Sequence, residues 1–172
     1  MPPIKIATPR EFFDHVVEKD VSEFASQATD LRSAFHACIS LLSLRDWIVH
    51  VYKNKHWTHS GTAQPIITGK RKFQQALNDI DVRCGIVTDI ANASKHMVLD
   101  PSSGPNTNLW GNANTAVHFY GGPLGSAPLG VAPVGGTISV IKVKIDRNYH
   151  DVLDCARATH SIWKGLMKDN AW

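Results

Sequence analysis

The stretch that decides the fold runs from Asp30 to Lys53 and has the sequence D-LRSAFHACISLLSLRDWIVHVYK. Asp is a favourable N-cap, because its carboxylate accepts hydrogen bonds from the first backbone N–H groups of a helix. After it, apolar side chains recur with helical spacing at Phe35, Cys38, Leu41, Leu42, Ile48 and Val49. An apolar stripe of this length needs partner helices to bury it, so the stretch predicts the central helix of a bundle.

Further helices are expected on both sides of this central helix. Thr8 followed by Pro9 predicts the start of the first one, because Thr caps a helix and Pro suits the first helical position. The apolar periodicity predicts three more: Lys70–Leu77, a longer helix from Asp79 or Asp81 to Met97, and a last helix that begins near Asn148.

A stretch without charge interrupts the helices before the last one. No Asp, Glu, Lys or Arg occurs from Pro101 to Ile141, and Gly and Pro are concentrated there, which predicts a long loop. β-Branched and aromatic residues at 115–120 and 137–145 predict an antiparallel hairpin on its flanks. We therefore predict a mainly α protein with a single domain over residues 1–172. It is a bundle of four to five helices, and the Gly/Pro-rich loop and β-hairpin of residues 101–145 are inserted before the last helix.

The composition limits the class of protein. Of the 172 residues, 43% are hydrophobic and 19% are charged, which is typical of a globular domain and excludes a disordered chain. No apolar run approaches the roughly 20 residues that span a bilayer, and three Cys, an odd number, argue against a disulfide framework. We expect a cytoplasmic protein without a membrane partner. The formal charge of +3 permits a nucleic-acid partner without requiring one.

The central helix carries a motif with the residue types of phosphodiester cleavage, R-D-W-I-V-H at positions 45–50. The His50 imidazole titrates near neutral pH and can move a proton, while the Arg45 guanidinium can bind phosphate through two hydrogen bonds. Asp46 precedes His50 by four residues, a spacing at which its carboxylate is expected to orient the imidazole. The alternative is an ordinary Asp–His helix pair beside a surface Arg.

This string resembles the R-(polar)-x-x-x-H motif of the HEPN superfamily, small helical bundles that include many RNA-cleaving toxins and defence nucleases. The resemblance covers the six-residue motif and the helical outline. It implies that Arg45 and His50 are the catalytic pair, that two copies form a homodimer with facing motifs, and that RNA is cleaved without metal. Five residues turn a helix by about 140° beyond a full turn, so the two side chains do not share a face. A dimer interface or a frayed helix end would have to bring both to one substrate.

A second polar stripe lies on the predicted helix that ends at Met97. Asp89, Asn92 and His96 are spaced by three and four residues, beside the apolar face. If this helix neighbours the central one, we expect Asn92 and His96 to meet Asp46 and His50 in one cleft, with Lys95 at its rim. The alternative is a hydrogen-bond network that serves packing alone.

Basic and aromatic residues bracket the loop that follows the motif: Lys53, Lys55, Trp57, Lys70, Arg71 and Lys72. They predict a surface for single-stranded nucleic acid, with bases stacked on aromatic rings, and Lys95 is expected to contribute to it. A solvated loop rim is the alternative. His56 and His59 lack the Cys or carboxylate partners of a metal site, so no metal and no cofactor are expected.

Two functions follow from these observations. The first is a HEPN-like, metal-independent endoribonuclease, acting as a toxin or phage-defence effector, in which Asp46, Asn92 and His96 assist Arg45 and His50. The second is a non-catalytic module that binds a protein partner through the uncharged loop at 101–136. That loop carries apolar side chains of the kind that mark interfaces: Leu124, Leu129, Val131 and Val134.

Overall fold

The computed structural model describes residues 6–94, 116–120, 140–145 and 148–172, the strand at 116–120 by its backbone alone. Within these ranges the protein is mainly helical, as predicted. The chain order of the helices is α1 (Pro9–Phe12), a π-helical turn (Phe13–Val17), α2 (Glu18–Ser26), α3 (Leu31–Val51), α4 (Lys70–Ile80), α5 (Val82–Ala93) and α6 (Val152–Asp169). The strands are β1 (Trp57–His59), β2 (Thr62–Gln64), β3 (Ala116–Tyr120), β4 (Val140–Ile145) and β5 (Asn148–Asp151).

The predicted helix starts depend on caps that the structure contains. Thr8 Oγ1 accepts from the backbone N–H of Glu11 at 3.1 Å, and Glu11 Oε2 accepts in return from the N–H of Thr8 at 3.0 Å. The Asp30 carboxylate accepts from the N–H groups of Arg32 and Ser33. Both predicted starts are confirmed, and α3 ends two residues before the predicted Lys53.

The two middle helices differ from the prediction in their ends. α4 begins at Lys70 as predicted and continues three residues past Leu77. α5 begins after Asp81, whose carboxylate accepts from the N–H of Arg83 at 2.9 Å. Its predicted end at Met97 lies outside the described residues.

The described strands form two small antiparallel sheets. The pairing of Phe119 with Ile141 confirms the hairpin predicted from residues 115–120 and 137–145, and the loop predicted between these strands lies outside the described residues. Strand β5 pairs with β4 and occupies 148–151, where the last helix was expected to begin; that helix starts one turn later, capped by Asp151. The hairpin β1–β2 was not predicted either, and its turn places Ser60 and Gly61 at positive φ.

The core is built around α3, which packs against α2, α5 and α6. At the end of the bundle where α3 finishes, five aromatic rings form one cluster: Tyr52, Trp57, Phe73, Trp163 and Trp172. Asn170 fixes the β1–β2 hairpin there, because its side chain accepts from the N–H of Thr58 at 2.7 Å and donates to the carbonyl of Thr58 at 2.9 Å. No helix among the described residues is both long and apolar enough to cross a membrane.

Candidate nucleic-acid interface

The Arg45-Asp46 pair of the motif joins α3 to the start of α4. Arg45 donates from Nε and Nη2 to Asp46 Oδ1 at 3.0 and 2.7 Å, and Lys70 Nζ donates to Asp46 Oδ2 at 2.6 Å. Burial alone would raise the pKa of the Asp46 carboxyl, but the hydrogen bonds from Lys70 and Arg45 outweigh it and hold that pKa below its ordinary value. Asp46 is therefore an anion held between two cations.

Arg45 is directed into the bundle and is only 9% exposed. Its Nη1 donates to Gln74 Oε1 at 3.2 Å, and Gln74 Nε2 donates onward to Asn78 Oδ1 at 2.8 Å. The expectation that Arg45 binds the scissile phosphate directly is not met by this conformation, because three of its N–H groups are already bound to Asp46 and Gln74. Arg45 instead holds Asp46, and through it Lys70, in place.

His50 lies on the opposite side of α3 from the buried Arg45 and is exposed. No hydrogen bond or ion pair joins it to another described residue, so the prediction that Asp46 orients the imidazole is wrong. The physical reason is competition, because two cations already occupy the Asp46 oxygens. The imidazole is left free to reach a bound ligand.

Five cations gather around the end of α3, and we call them the basic surface: Lys53, Lys55, Lys70, Arg71 and Lys72, all exposed. Two backbone hydrogen bonds bring their two segments together, from Asn54 N to the carbonyl of Ile67 at 2.7 Å and from Ile67 N to the carbonyl of Lys55 at 3.1 Å. The sequence contains no Asp or Glu between Asp46 and Asp79. The basic surface is thus not neutralised from within its own segment, and it suits a polyanion.

Trp57 does not belong to this surface in the predicted way. Its side chain is 1% exposed, its ring meets Phe73 edge to face at 5.0 Å between centroids, and its Nε1 donates to the carbonyl of Pro65 at 2.6 Å. The prediction that a base stacks on the face of Trp57 is wrong, because the ring is needed in the aromatic cluster.

The second polar stripe is present only in part among the described residues. Asp89 is 4% exposed and Asn92 is half-buried, whereas Lys95 and His96 lie outside the described residues. Burial raises the pKa of Asp89 to about 8, and its Oδ2 has no hydrogen-bond partner in the described part of the chain. No hydrogen bond there joins Asp89 or Asn92 to the motif on α3, so the expected common cleft is not seen.

Cysteine and metal chemistry find no support in the described ranges. All three Cys are buried as predicted, and burial raises the pKa of each thiol, to about 12 for Cys84 and Cys155. Over residues 6–94, 140–145 and 148–172, no three His, Cys, Asp or Glu side chains are grouped to hold a metal ion.

A surface groove next to the basic surface was not predicted. It has a volume of about 250 Å³ and is lined by Trp57, Pro65, Ile66, Thr68, Lys72, Phe73 and Ala76. The groove exists because the segment that follows β2 crosses beside α4. The unpredicted β1–β2 hairpin sets this path, so only the Ser60-Gly61 turn signal could have indicated it.

The described residues form a mainly helical protein with a basic surface, and two exposed histidines, His50 and His56, lie next to its cations in the sequence. Comparison of the chain with known protein families, curated proteins and solved structures gives no match.

Proposed function

We propose that this protein is a metal-independent endoribonuclease, similar in its motif to HEPN nucleases, that binds single-stranded RNA on the basic surface. The observation that carries the proposal is the position of His50. Its exposed imidazole lies one helical turn beyond Asp46, which holds the Lys70 ammonium, and three residues before Lys53. This position supports the proposal, because an imidazole, which can transfer a proton near neutral pH, is close in sequence to cations of the kind that bind phosphate.

Cleavage of RNA in this arrangement requires only proton transfer and charge stabilisation. His50 would take the proton of a ribose 2′-hydroxyl, and the 2′-oxygen would attack the adjacent phosphorus. The bond to the 5′-oxygen of the next nucleotide breaks, a protonated imidazole supplies that oxygen with its proton, and a 2′,3′-cyclic phosphate is left. Lys70 would stabilise the negative charge on the phosphate oxygens during this step.

A homodimer would supply both proton-transfer groups. Each copy offers one exposed His50, and a base and an acid are needed at the same phosphodiester. Two copies with facing α3 helices would place one imidazole on each side of the bond. Arg45 then acts as a positioning residue for Asp46 and Lys70, which departs from the direct phosphate contact that the family resemblance implies.

The test is cleavage of a labelled single-stranded RNA in the presence of a chelator. Wild type should cleave it, and His50→Ala should lower the rate by at least about 100-fold, the usual contribution of a general acid or base. His15→Ala is the matched control, because Arg10 and His15 repeat the spacing of the motif, yet Arg10 binds the carbonyl of Trp172 and His15 is merely exposed. RNA with a 2′-deoxy group at the cleaved position should remain intact.

Two outcomes would contradict the proposal. Equal cleavage by wild type and His50→Ala would exclude His50 from the reaction. RNA binding without cleavage by wild type would reduce the basic surface to a binding site. Analytical ultracentrifugation tests the homodimer separately.

A further inference from the structure

The groove beside α4 has walls of unequal chemistry. Pro65, Ile66 and Ala76 give it apolar sides, with Trp57 and Phe73 beneath, and Ile66 is 41% exposed although it is a large apolar residue. The one charged residue of its lining is Lys72, which also belongs to the basic surface. The groove is thus an apolar slot with a single cation at its rim.

This combination fits a flat, uncharged ring that is attached to an anion. A volume of about 250 Å³ is slightly below that of pockets for drug-sized ligands, roughly 300–1,000 Å³, so it suits one ring system. The ring would displace water from Ile66 and Ala76, while the Lys72 ammonium would bind the phosphate attached to it. A nucleotide within a strand has this chemistry.

We propose that the groove is a base subsite that takes one nucleobase of the single-stranded RNA bound on the basic surface. This inference rests on the proposed function. Charge selects the occupant, because Lys72 lines the groove and shares the first turn of α4 with the exposed cations Lys70 and Arg71. A strand that follows those cations passes the groove with its phosphates on Lys72 and its base directed inward.

The groove gives the nuclease a means of choosing where it binds a strand. Thr68 is the lining side chain that carries a hydroxyl, which can both donate and accept a hydrogen bond at the edge of a base. The carbonyl of Pro65 already accepts a hydrogen bond from Trp57 Nε1, and this bond holds the Pro65 side of the groove in place. A base held here fixes the register of the strand relative to His50.

The experiment compares RNA with a polyanion that has no bases. Binding of a labelled single-stranded RNA and of labelled inorganic polyphosphate is measured by fluorescence anisotropy for wild type, Ala76→Phe, Lys72→Ala and Ala63→Phe. Ala76→Phe fills the groove and should weaken RNA binding by about tenfold, the scale of one lost base contact, while polyphosphate binding stays unchanged. Ala63→Phe adds the same ring at an exposed position of β2 outside the groove and should alter neither. Lys72→Ala should weaken both.

The outcomes separate this inference from the proposed function. RNA binding that survives Ala76→Phe, while Lys72→Ala still weakens it, overturns the base subsite and leaves the basic surface intact. Equal losses of RNA and polyphosphate on Ala76→Phe also overturn it, because a base contact would be lost for RNA alone. RNA binding that Lys72→Ala leaves unchanged, or none by wild type, overturns the basic surface. If Ala76→Phe does not fold, Ile66→Ser removes an exposed wall and should weaken RNA binding selectively.

Discussion

Asp46 shows how one side chain decides the role of its neighbours. Its carboxylate binds Arg45 from inside the bundle and Lys70 from outside, so it cannot also bind His50. Lys70, and not Arg45, then presents its charge to solvent. The motif keeps its residue types, but the exposed cation bound to Asp46 comes from the next helix.

Asp89 is the described carboxyl group that burial affects most. Its pKa is raised to about 8 from an ordinary value near 3.8. Between these two pH values the folded state therefore holds a proton that the unfolded state releases. This group favours folding at low pH, and its contribution is lost as pH rises from about 4 to about 8. We predict that Asp89→Asn stabilises the protein, and that the gain increases over that interval by up to about 1.4 kcal/mol per pH unit.

Urea denaturation at pH 5 and at pH 8 measures this effect. Asp79→Asn is the control. Asp79 is exposed, so this substitution should change the free energy of unfolding of the protein little at either pH. A variant Asp89→Asn that is less stable than wild type at pH 8 would show that the carboxylate is ionised and bound in the fold.

At the scale of elements, α4 joins the core to the basic surface. Lys70, Arg71 and Lys72 occupy its first turn, and Gly69 supplies no side-chain cap. Cations at a helix N-terminus oppose the helix dipole, so the arrangement costs stability in the absence of an anion. Phe73, Gln74 and Leu77 are buried and hold the helix in place despite this cost.

We predict that Asp46→Asn destabilises the protein by about 1–3 kcal/mol, since it leaves the buried Arg45 guanidinium without its anion. Lys70→Gln should cost less than about 1 kcal/mol, because the Lys70 end of the network is exposed. Guanidinium denaturation of both variants tests the difference. Equal effects would mean that Arg45 does not depend on Asp46.

The elements with local signals were predictable from the sequence. Thr8, Asp30 and Asp81 cap helices through their own side chains, so α1, α3 and α5 start at or next to the expected residues. The β1–β2 hairpin was not predictable, since strands of three residues are too short to show an alternation of apolar and polar side chains. Most of the contacts that hold the hairpin come from Asn170, more than a hundred residues away in the sequence. Strand β5 at 148–151 was not predictable either, because a short edge strand is defined by its pairing with β4 and not by its own sequence.

The candidate site was predictable in its residue types but not in its contacts. The cations at 53, 55 and 70–72 are exposed as expected. Burial of a Lys or Arg side chain is unfavourable, because it removes the charge from water and restricts a flexible side chain. The burial of Trp57 and the inward direction of Arg45 depend on Phe73, Gln74 and Trp172, residues that only the tertiary fold brings near.

At the scale of the whole molecule, the net positive charge is concentrated in one segment of the sequence. Residues 47–78 carry five cations and no Asp or Glu, whereas the entire chain has a formal charge of +3, so the remainder is net acidic. One segment of the sequence is therefore basic and the remainder is net acidic. A polyanion should approach the basic surface in preference to the rest of the molecule.

This distribution predicts a strong salt dependence of RNA binding. If all five cations of the basic surface contact phosphates, a plot of log K against log salt concentration should have a slope of about −3.5 for a single strand. Lys55→Ala should reduce the slope by about 0.7, and Lys19→Ala, an exposed cation on α2, should not change it. A slope near zero would mean that RNA does not bind through these cations.

The aromatic cluster at this end of the bundle has an optical consequence. Trp57, Trp163 and Trp172 are all buried in it, and Trp57 and Phe73 also lie under the groove. Indole emission depends on the polarity around the ring, so three of the five indoles report on the same small region. The intrinsic fluorescence of the unlabelled protein is thus a local probe of the part of the fold that supports the basic surface.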